Sequence, residues 1–434
     1  MSFSYGFAGE SNGRPVRVGL IGAGKFGSMF LAQVPTSKGL TVTVIADLDE
    51  HRARNACLNV GWTETMADRV RFTANALSLI EDPDVDVVIE ATGHPSAGIR
   101  HARAAIASRK HIVMVNVEAD VLAGPLLARQ AREAGVVYTL AYGDQPALIC
   151  EMVEWARACG FEVLAAGKGT RYLPYFHQST PETVWQYRGV SPDDAKKGGM
   201  NAQMFNSFID GTKSGIEMAA VANATGLAPA PDGLGFVPTS AEELANRINP
   251  STLHHRGQVE VVSSVERDGS VIPGNLRWGV YVVFAGGNDY TRRCFKEYGV
   301  KTDPTGDVAA LYRPFHLIGL ELNVSIFSAA LRGQATGAPT GFVADVVATA
   351  KRDISPGEIL DGEGGYLVWG KLMPARDSLL KGGLPIGLAS NVRVKRKVSE
   401  GQTLTWEDVE MNADDEAFRF RKQMEREFSA ESTA

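Results

Sequence analysis

Cysteine is scarce in this chain of 434 residues. Its four cysteines, at positions 57, 150, 159 and 294, have neither the spacing of a metal site nor that of a redox motif. Thiols scattered in this way are typical of proteins from a reducing compartment. We therefore expect a reduced, cytoplasmic protein.

Long apolar runs and an excess of basic residues are also missing. No stretch approaches the roughly 18 apolar residues of a membrane-spanning helix, and the N-terminal MSFSYGFAGESNGRP lacks the basic start and apolar middle of a secretory signal. The formal net charge of −6 provides no positive field for nucleic acid or an anionic membrane. These absences predict a soluble globular protein with a small-molecule partner, long enough for two or three domains.

A glycine-rich turn is present near the N-terminus. RPVRVGLIGAGKFGSMFLAQV has the pattern of an apolar strand, a turn with Gly22, Gly24 and Gly27, and an amphipathic helix. In a dinucleotide-binding turn the first glycine permits the tight bend, the second lets the backbone approach a pyrophosphate, and the third lets the helix pack on the strand. A second strand, LTVTVIAD, ends at Asp47, where an acid normally holds the adenosine ribose. The alternative is a glycine turn in an unrelated α/β protein.

Alternating strand and helix patterns continue to about residue 165. VDVVIEATG, HIVMVNVEAD and VVYTLAYGDQP have the pattern of strands, and SAGIRHARAAIASRK and LLARQAREAG that of helices. This order predicts an α/β domain over residues 1–165, with a Rossmann-type doubly wound parallel sheet that binds ligands at the carboxyl ends of its strands. The residues predicted at those ends are Thr92, Gly93, Asn116, Glu118, Tyr142 and Gly143. The predicted cofactor-binding residues are Gly22, Gly24, Lys25, Phe26, Gly27, Asp47, Arg52, Thr92, Gly93 and Asn116.

The choice of cofactor depends on residues at the end of the second strand. Asp47 favours NAD, whereas Arg52 and Arg54, just beyond it, could reach the 2′-phosphate of NADP. The alternative for both arginines is the solvated first turn of a helix. We expect NADPH, with NADH as the alternative.

Two further domains are expected after residue 165. Residues 166–345 mix helix and strand patterns, which predicts an α+β catalytic domain. Residues 346–434 contain an internal echo, because KRDISPGEIL (351–360) and KRKVSEGQTL (395–404) match at several offsets. Such a duplication predicts a compact, pseudo-symmetric β module, followed by a charged helix that frays at its end. We expect this tail to lie outside the chemical centre.

A charged stripe is predicted in FIDGTKSGIEM, residues 208–218. In a single helix, Asp210, Lys213 and Glu217 would share one face, although the surrounding residues are mostly small or apolar. Ordinary surface ion pairs are the alternative. We expect the Lys213 ammonium to stabilise the negative charge that develops on a carbonyl oxygen as hydride arrives. Asp210 and Glu217 would hold this ammonium in place and keep it protonated.

Taken together, these motifs resemble those of a known family. VGLIGAGKFGSMF, VIEATG, VMVNVEADV and DGTKSGIEMAAVANATGL resemble the homoserine-dehydrogenase-like oxidoreductases, and within that group the DXP-reductoisomerase-like (DRL) branch. The tail repeat is similar to the SAF domain. The resemblance implies an NAD(P)H-dependent reductase with a dimeric catalytic domain. Its reaction would convert 1-deoxy-D-xylulose 5-phosphate (DXP) to 2-C-methyl-D-erythritol 4-phosphate, a step in isoprenoid precursor synthesis.

One departure from the family pattern bears on the substrate. Homoserine dehydrogenases carry a catalytic lysine after the asparagine that follows the equivalent strand, whereas this chain has Asn116-Val117-Glu118. Homoserine oxidation is therefore not expected. The DRL-like reaction also needs a base or a divalent-metal ligand for its rearrangement step, for which Glu118 is the candidate, and the need for a metal is left open.

A phosphorylated substrate needs a cationic cradle. The candidates are Lys168, Arg171, His177, Arg313 and His316, with structural hydrogen bonding as the alternative for each. The motif RPFH is expected at a helix start, where free amide groups help to hold an anion. Two other functions stay open: a dehydrogenase of an unphosphorylated sugar, sugar acid or homoserine-like alcohol, and a cofactor-binding sensor or assembly protein. The charged stripe argues against the sensor.

Overall fold

The computed structural model describes residues 14–197 and 200–431, which form two units. The first unit comprises the described residues up to Leu148 together with His316–Thr340, and the second comprises Ile149–Phe315 together with the residues from Gly341 onward. This division differs from the predicted boundaries at 165 and 345, because the tail belongs to the second unit. The expectations of a missing secretory signal and of a frayed C-terminal end concern residues 1–13 and 432–434, which lie outside the described residues.

The chain contains strands and helices in alternation. The strands are β1 (Val16–Ile21), β2 (Leu40–Ala46), β3 (Arg71–Thr73), β4 (Val87–Glu90), β5 (His111–Met114), β6 (Tyr138–Leu140), β7 (Glu162–Thr170), β8 (Ala228–Pro229), β9 (Val237–Pro238), β10 (Gln258–Ser263), β11 (Val280–Ala285), β12 (Val308–Arg313), β13 (Ala344–Ala350), β14 (Ile359–Asp361), β15 (Val368–Pro374), β16 (Ser390–Val394) and β17 (Val409–Glu410). The helices are α1 (Lys25–Gln33), α2 (Glu50–Asn59), α3 (Glu64–Ala67), α4 (Ala76–Ile80), α5 (Pro95–Ala107), α6 (Val117–Glu133), α7 (Gln145–Ala158), α8 (Val184–Arg188), α9 (Pro192–Lys197), α10 (Ala202–Ile209), α11 (Thr212–Thr225), α12 (Leu244–Arg247), α13 (Asp289–Glu297), α14 (Asn323–Arg332), α15 (Ala375–Lys381) and α16 (Glu416–Glu431). None of the described helices combines the length and the apolar character needed to span a bilayer.

Six parallel strands form the sheet of the first unit in the order β3-β2-β1-β4-β5-β6. The chain runs outward from β1 on one side and outward from β4 on the other, so the sheet is doubly wound with its switch point between these two strands. Parallel neighbours need a crossover connection, which explains why helix patterns separate the strand patterns in the sequence. The predicted Rossmann-type α/β fold is confirmed.

The core of the first unit is built on the central strands. Val18 and Leu20 of β1 and Ile89 of β4 are fully buried, as expected for strands covered on both faces. Helix α14, although much later in the chain, adds Leu322 and Ile326 to the same core. Residues 316–340 therefore complete the first unit instead of extending the second.

The segment 311–332, which has the pattern of one helix, is divided. Strand β12 ends at Arg313 and pairs with β11 along its whole length, and α14 begins only at Asn323. The predicted helix start at RPFH is therefore wrong, because Pro314 cannot donate a ladder hydrogen bond and ends a strand there. Arg313 belongs to the second unit and His316 to the first.

The second unit contains a mixed sheet in the order β12-β11-β7-β10-β8, with β9 also paired to β10. Strand β10 is parallel to β7, whereas β11 is antiparallel to both β7 and β12. The tail adds antiparallel pairs, β13 with β15 and β14-β16-β17. This arrangement agrees with the predicted α+β character of the middle of the chain.

The segment FIDGTKSGIEM forms parts of two helices. Helix α10 ends at Ile209 and α11 begins at Thr212, with Asp210 as the C-cap of the first helix and Gly211 as the N-cap of the second. The φ of Gly211 is +90°, a left-handed conformation that glycine adopts readily and that commonly ends a helix. Asp210 therefore lies at an elbow, residues 210–211, and the prediction that it shares a helix face with Lys213 is wrong.

The two repeats of the tail pair with each other about a pseudo-twofold axis. Ile354 and Val398 occupy the same offset in residues 351–360 and 395–404, and each donates its amide hydrogen to the carbonyl oxygen of the other, at 2.8 and 3.0 Å. The seventh residue of each repeat forms a second equivalent pair of hydrogen bonds. Gly357 donates its amide hydrogen to the carbonyl oxygen of Val394 at 2.8 Å, and Gly401 donates to that of Ala350 at 2.9 Å. The predicted pseudo-symmetric module is confirmed, and its similarity to the SAF domain stays a prediction.

The symmetry of the repeats ends at their first residue. Lys395 is exposed, whereas Lys351 is buried and donates to Asp210 Oδ2 at 2.8 Å and to two backbone carbonyl oxygens at 2.8 and 2.7 Å. All three ammonium hydrogens thus have acceptors. The other oxygen of Asp210 accepts the amide hydrogen of Thr212 at 2.9 Å. The tail therefore holds the elbow through a buried ion pair.

Lys351→Met should lower the free energy of unfolding by roughly 3–5 kcal/mol, because it leaves the Asp210 carboxylate buried without its counter-charge. Lys395→Met removes the lysine at the equivalent offset of the other repeat and should change this free energy by less than about 0.5 kcal/mol. Urea denaturation followed by circular dichroism measures both changes. Equal effects of the two substitutions would contradict the structural importance of the buried pair.

Candidate functional site

Two of the three turn glycines are required by the packing of the first unit. Gly22 has a φ of +96°, and a β-carbon there would lie 2.7 Å from the carbonyl oxygen of Ala91. A β-carbon at Gly27 would lie 2.3 Å from the carbonyl oxygen of Gly22. Distances this short exclude larger residues. The first glycine therefore brings the ends of β1 and β4 together, and the third lets α1 pack against the turn.

Gly24 faces open space. Of the described atoms, none lies within 4 Å of the position that a β-carbon of Gly24 would take. Gly24 is the N-cap of α1, and within the described part of the chain no side chain caps this helix, whose first two residues are Lys25 and Phe26. Free amide groups and the positive end of the helix dipole favour an anion. The geometry thus fits the predicted pyrophosphate of a dinucleotide.

The carboxylate of Asp47 braces the glycine turn from the end of β2. Its Oδ2 accepts the amide hydrogen of Ala23 at 2.9 Å, and its Oδ1 accepts a hydrogen bond from the Arg52 guanidinium at 2.5 Å. The Asp47 side chain is buried, whereas that of Arg52 is 63% exposed. Asp47 therefore lies directly after β2, as the sequence predicts. Its negative charge is balanced by the guanidinium of Arg52.

Arg54, the other candidate for a 2′-phosphate, is occupied elsewhere. Its guanidinium donates to Glu64 and to Asp68, both at 2.6 Å. These contacts raise the pKa of Arg54, chiefly through the hydrogen bond to Asp68. The solvated-surface alternative fits this residue better than a cofactor contact.

The loops after β4 and β5 meet at the same edge of the sheet. Thr92 donates its hydroxyl hydrogen to Glu90 at 2.6 Å. The side-chain nitrogen of Asn116 lies 3.4 Å from the Thr92 hydroxyl and 3.0 Å from the carbonyl oxygen of His94. Gly93, between these residues, has a φ of +69°. The structure therefore brings the predicted residues Thr92, Gly93 and Asn116 together.

Glu90, the last residue of β4, is absent from the predicted set. Its side chain is fully buried, and its Oε1 accepts from Thr92 and lies 3.1 Å from Nδ1 of His101. Its Oε2 has no hydrogen-bond partner within the described residues. The signal in the sequence is a carboxylate in the otherwise apolar strand VVIE, since buried charges need partners. Glu90 thus adds a charged group beneath the predicted cofactor edge.

Glu118 lies on a helix instead of at a strand end. Strand β5 ends at Met114, and α6 begins at Val117. Asn116 caps this helix by accepting the amide hydrogen of Ala119 at 3.1 Å, and asparagine is among the strongest N-caps. The predicted strand is therefore shorter than expected, and Glu118 occupies the first turn, where the helix dipole favours an acid. Among residues 14–197 and 200–431, no three His, Cys, Asp or Glu side chains are grouped so that they could hold a metal ion.

The carboxylates of the predicted stripe are paired with distant lysines. Glu217 of α11 forms an ion pair with Lys168 of β7, and both side chains are almost fully buried. Asp210 is paired with Lys351. The prediction that these two carboxylates hold Lys213 is therefore corrected: other lysines neutralise them. Helical spacing could not reveal this, because it reports only neighbours on the same helix.

Lys213 occupies the first turn of α11. It is the second residue of this helix and is half-buried. A cation at the N-terminal end of a helix opposes the helix dipole, at a cost of roughly 0.3–1 kcal/mol at exposed sites. The role of Lys213 in the chemistry stays a prediction.

His177 is a structural anchor of the elbow. Its Nδ1 lies 2.7 Å from the carbonyl oxygen of Asp210, its Nε2 lies 2.9 Å from the Tyr172 hydroxyl, and its ring stacks on Trp369 at 3.8 Å. A carbonyl oxygen only accepts, so Nδ1 donates and Nε2 accepts from the tyrosine. Burial lowers the pKa of His177 below its ordinary value. A neutral histidine with both nitrogens engaged does not serve as a cation for phosphate.

The five residues predicted to bind substrate differ in their contacts. Two of them have the structural roles just described. Arg171 donates to a backbone carbonyl oxygen at 2.7 Å, and the Arg313 guanidinium lies 5.0 Å from the centre of the Phe315 ring. His316 belongs to the first unit, whereas the other four belong to the second. Of the predicted cradle, Arg171 is the residue that the structure places among further cations.

Two domain families match this chain. Residues 22–140 match the NAD-binding domain of homoserine dehydrogenase, and residues 143–322 match the catalytic domain of oxidoreductase DRL. The matched ranges together include the glycine turn, the strands β2 to β6 of the parallel sheet and the elbow. These matches support an NAD(P)-dependent oxidoreductase.

Two curated proteins are similar to a shorter part of the chain. An inositol 2-dehydrogenase of Acidothermus cellulolyticus is 34% identical over 122 residues, which are 28% of this chain and 33% of that protein. A homoserine dehydrogenase of Bacillus subtilis is 28% identical over 133 residues, which are 28% of each chain. The chain thus spans about a third of the length of the curated relatives it matches.

Solved structures are similar to part of the chain at low identity. A DXP reductoisomerase of Zymomonas mobilis in complex with NADPH is 18% identical, with 48% of this chain and 58% of that chain covered and a TM-score of 0.35. A myo-inositol dehydrogenase of Lactobacillus casei in complex with NAD(H) and myo-inositol is also 18% identical, with 39% and 50% covered and a TM-score of 0.29. At these values the likeness does not extend to function.

Gly24→Val should abolish dinucleotide binding and cost less than about 1 kcal/mol of stability, because the side chain enters open space at a helix N-cap. Gly27→Ala should instead destabilise the first unit by about 1–3 kcal/mol, because its β-carbon meets the Gly22 carbonyl. Fluorescence titration with NADPH and urea denaturation separate the two effects. A Gly24→Val variant that binds NADPH as the parent does would remove the pyrophosphate site.

Proposed function

We propose that the protein is an NAD(P)H-dependent reductase of a small sugar phosphate, most specifically a reductoisomerase that converts DXP to 2-C-methyl-D-erythritol 4-phosphate. The observation that carries this proposal is the match of residues 143–322 to the catalytic domain of oxidoreductase DRL. The buried pair of Lys168 and Glu217 lies within this range, as does Asp210. We further propose that the protein acts as a homodimer or a higher homo-oligomer.

NADPH is the proposed cofactor. The open space at Gly24 and the uncapped start of α1 fit a pyrophosphate. Asp47 would repel a 2′-phosphate if its charge were uncompensated, but the exposed Arg52 guanidinium lies against it. Arg52 can therefore turn toward a 2′-phosphate with a charge-assisted hydrogen bond. When bound, the nicotinamide supplies the hydride.

Arg52→Gln should lower kcat/KM for NADPH at least tenfold and leave that for NADH within about threefold, because a lost charge-assisted hydrogen bond is worth about 1.5–3 kcal/mol. Arg54→Gln is the matched control, since its guanidinium is paired with Glu64 and Asp68, and it should leave both values unchanged. Steady-state kinetics with the two cofactors decide this. A parent enzyme that prefers NADH would assign Arg52 to the bracing of Asp47 alone.

Lys213 is the proposed electrophilic catalyst. Reduction of a carbonyl group places negative charge on its oxygen, and a positioned ammonium stabilises that oxygen and can donate the proton. Asp210 and Glu217 support the helix that carries this lysine through their own pairs with Lys351 and Lys168. Glu118 is the proposed base for the hydroxyl proton that is removed before the carbon–carbon bond migrates.

Lys213→Met keeps most of the apolar stem and removes the charge, and it should lower kcat about a hundredfold, or on the order of 3 kcal/mol of transition-state stabilisation. The cofactor Kd should barely change. Lys296→Met, at an exposed position of α13, is the control and should leave kcat unchanged. A folded Lys213→Met variant with the parent kcat would exclude this lysine from the chemistry.

A second candidate function is the oxidation of an unphosphorylated polyol or sugar. It is favoured by the 34% identity to an inositol 2-dehydrogenase over 122 residues. Complementation of a strain that lacks its DXP reductoisomerase, together with assays of NADPH oxidation by DXP and NAD⁺ reduction by myo-inositol, separates the two candidates. A protein that binds NADPH and turns over neither substrate would favour the sensor or assembly role.

A further inference from the structure

Three arginines from separate segments of the second unit converge. Arg171 follows β7, Arg188 ends α8, and Arg277 precedes β11. The Arg171 guanidinium donates to the carbonyl oxygen of Tyr187 at 2.7 Å, the residue before Arg188. Gly169, two residues before Arg171, packs against the segment of Arg277, since a β-carbon there would lie 3.1 Å from the backbone nitrogen of Arg277. We call Arg171, Arg188 and Arg277 the arginine cluster.

The arginine cluster has no acidic partner in the described part of the chain. The three side chains are half-buried, and within residues 14–197 and 200–431 no carboxylate forms an ion pair with any of them. The buried Nε of Arg171 has no hydrogen-bond partner there either. Buried polar atoms are almost always hydrogen-bonded, so a buried donor without a protein partner can be satisfied by a bound ligand.

Aromatic rings fix two of the guanidinium groups. Arg188 lies over the ring of Phe205 at 4.5 Å, and Arg277 lies over the ring of Trp278 at 4.8 Å. Stacking of this kind orients the planar group and leaves its edge donors free to point at a ligand. The cations are thus preorganised by apolar contacts, without an acid that would compete with an incoming anion.

The charges of the cluster act on one another. Burial lowers the pKa of Arg277, and the charge of Arg171 lowers it further. Burial likewise lowers the pKa of Arg188, and the charge of Arg277 adds to this effect. Like charges held together in a half-buried place are unfavourable until a counter-charge arrives. An anion bound here would therefore relieve a repulsion that already exists in the protein.

We propose that the arginine cluster is an anion site that takes a phosphate monoester. Guanidinium groups bind phosphate oxygens in a bidentate way, and more than one cation is needed to match a dianion. This inference rests on the proposed function only in assigning the phosphate to the substrate. It replaces most of the cradle predicted from the sequence, of which Arg171 alone is kept.

Binding of inorganic phosphate to the full-length protein tests the site without any turnover. Arg277→Gln and Arg188→Gln should each weaken phosphate binding at least tenfold in isothermal titration calorimetry. Arg256→Gln removes an exposed arginine of the same unit that is paired with Glu162, and it should bind phosphate as the parent does. Without phosphate, the melting temperature of the two cluster variants should equal or exceed that of the parent, because repulsion is relieved.

Kinetics with DXP then assign the phosphate to the substrate. Both cluster variants should raise the KM for DXP at least tenfold and keep kcat within about threefold. For 1-deoxy-D-xylulose, which lacks the phosphate, the parent and the two variants should have the same KM. If the parent turns over neither substrate but the variants lose phosphate binding, the result would support the anion site and reject the proposed reaction.

Two outcomes would overturn the site. The first is a parent protein that binds no phosphate at millimolar concentration, or a folded cluster variant that binds it as tightly as the parent. The second is a loss of melting temperature in both cluster variants without phosphate, which would show that the arginines hold the fold instead of a ligand.

Discussion

The buried ion pair between Asp210 and Lys351 is the interaction on which the second unit depends. It fixes the elbow between α10 and α11, and α11 in turn carries Lys213 and the paired Glu217. An ion pair of this kind adds little net stability against an apolar replacement, but removal of one partner leaves an uncompensated charge in the interior. The C-terminal module therefore cannot be regarded as an appendage. It supplies the counter-charge at the point where α11 begins, and its Trp369 stacks on the histidine that anchors the same elbow.

In the first unit, the corresponding constraint is steric. Gly22 and Gly27 are fixed by close approaches of backbone to backbone, whereas a β-carbon added to Gly24, the other glycine of the motif, would meet no described atom within 4 Å. In this motif, two glycines are required because the backbone leaves no room for a side chain. At the third, only a bound ligand would exclude a side chain. Asp47 connects the two requirements, because it accepts the amide hydrogen of Ala23 in the middle of the turn. A residue that normally holds the ribose here also shapes the loop that receives the pyrophosphate.

Local patterns in the sequence predict the first unit well and the second only in part. The order of strands and helices follows from hydrophobic periodicity and the glycine turn, because consecutive elements of a doubly wound sheet are neighbours in space. The elbow is different, since Gly211 in a helical pattern is compatible with an unbroken helix. The elbow is held by the pairing of Asp210 with Lys351, which lies 141 positions away in the chain. The spacing of residues along one helix carries no information about such a distant partner. The same limit applies to the predicted cradle, because residue type does not reveal distant partners such as that of Lys168, which is paired with Glu217.

The charges at the elbow and those of the arginine cluster are balanced in different ways. The carboxylates at the elbow and on α11 are matched by lysines that reach them from other segments, whereas the arginine cluster has no counter-charge among the described residues. An internal acid would make the cluster more stable and less able to bind, since a ligand would have to displace it. When the arginines have no internal counter-charge, part of the free energy of anion binding comes from the repulsion between them that the anion relieves. A ligand at a hundred times its Kd stabilises the native state by about 2.7 kcal/mol, so such a protein is more stable when its substrate is present than when it is absent.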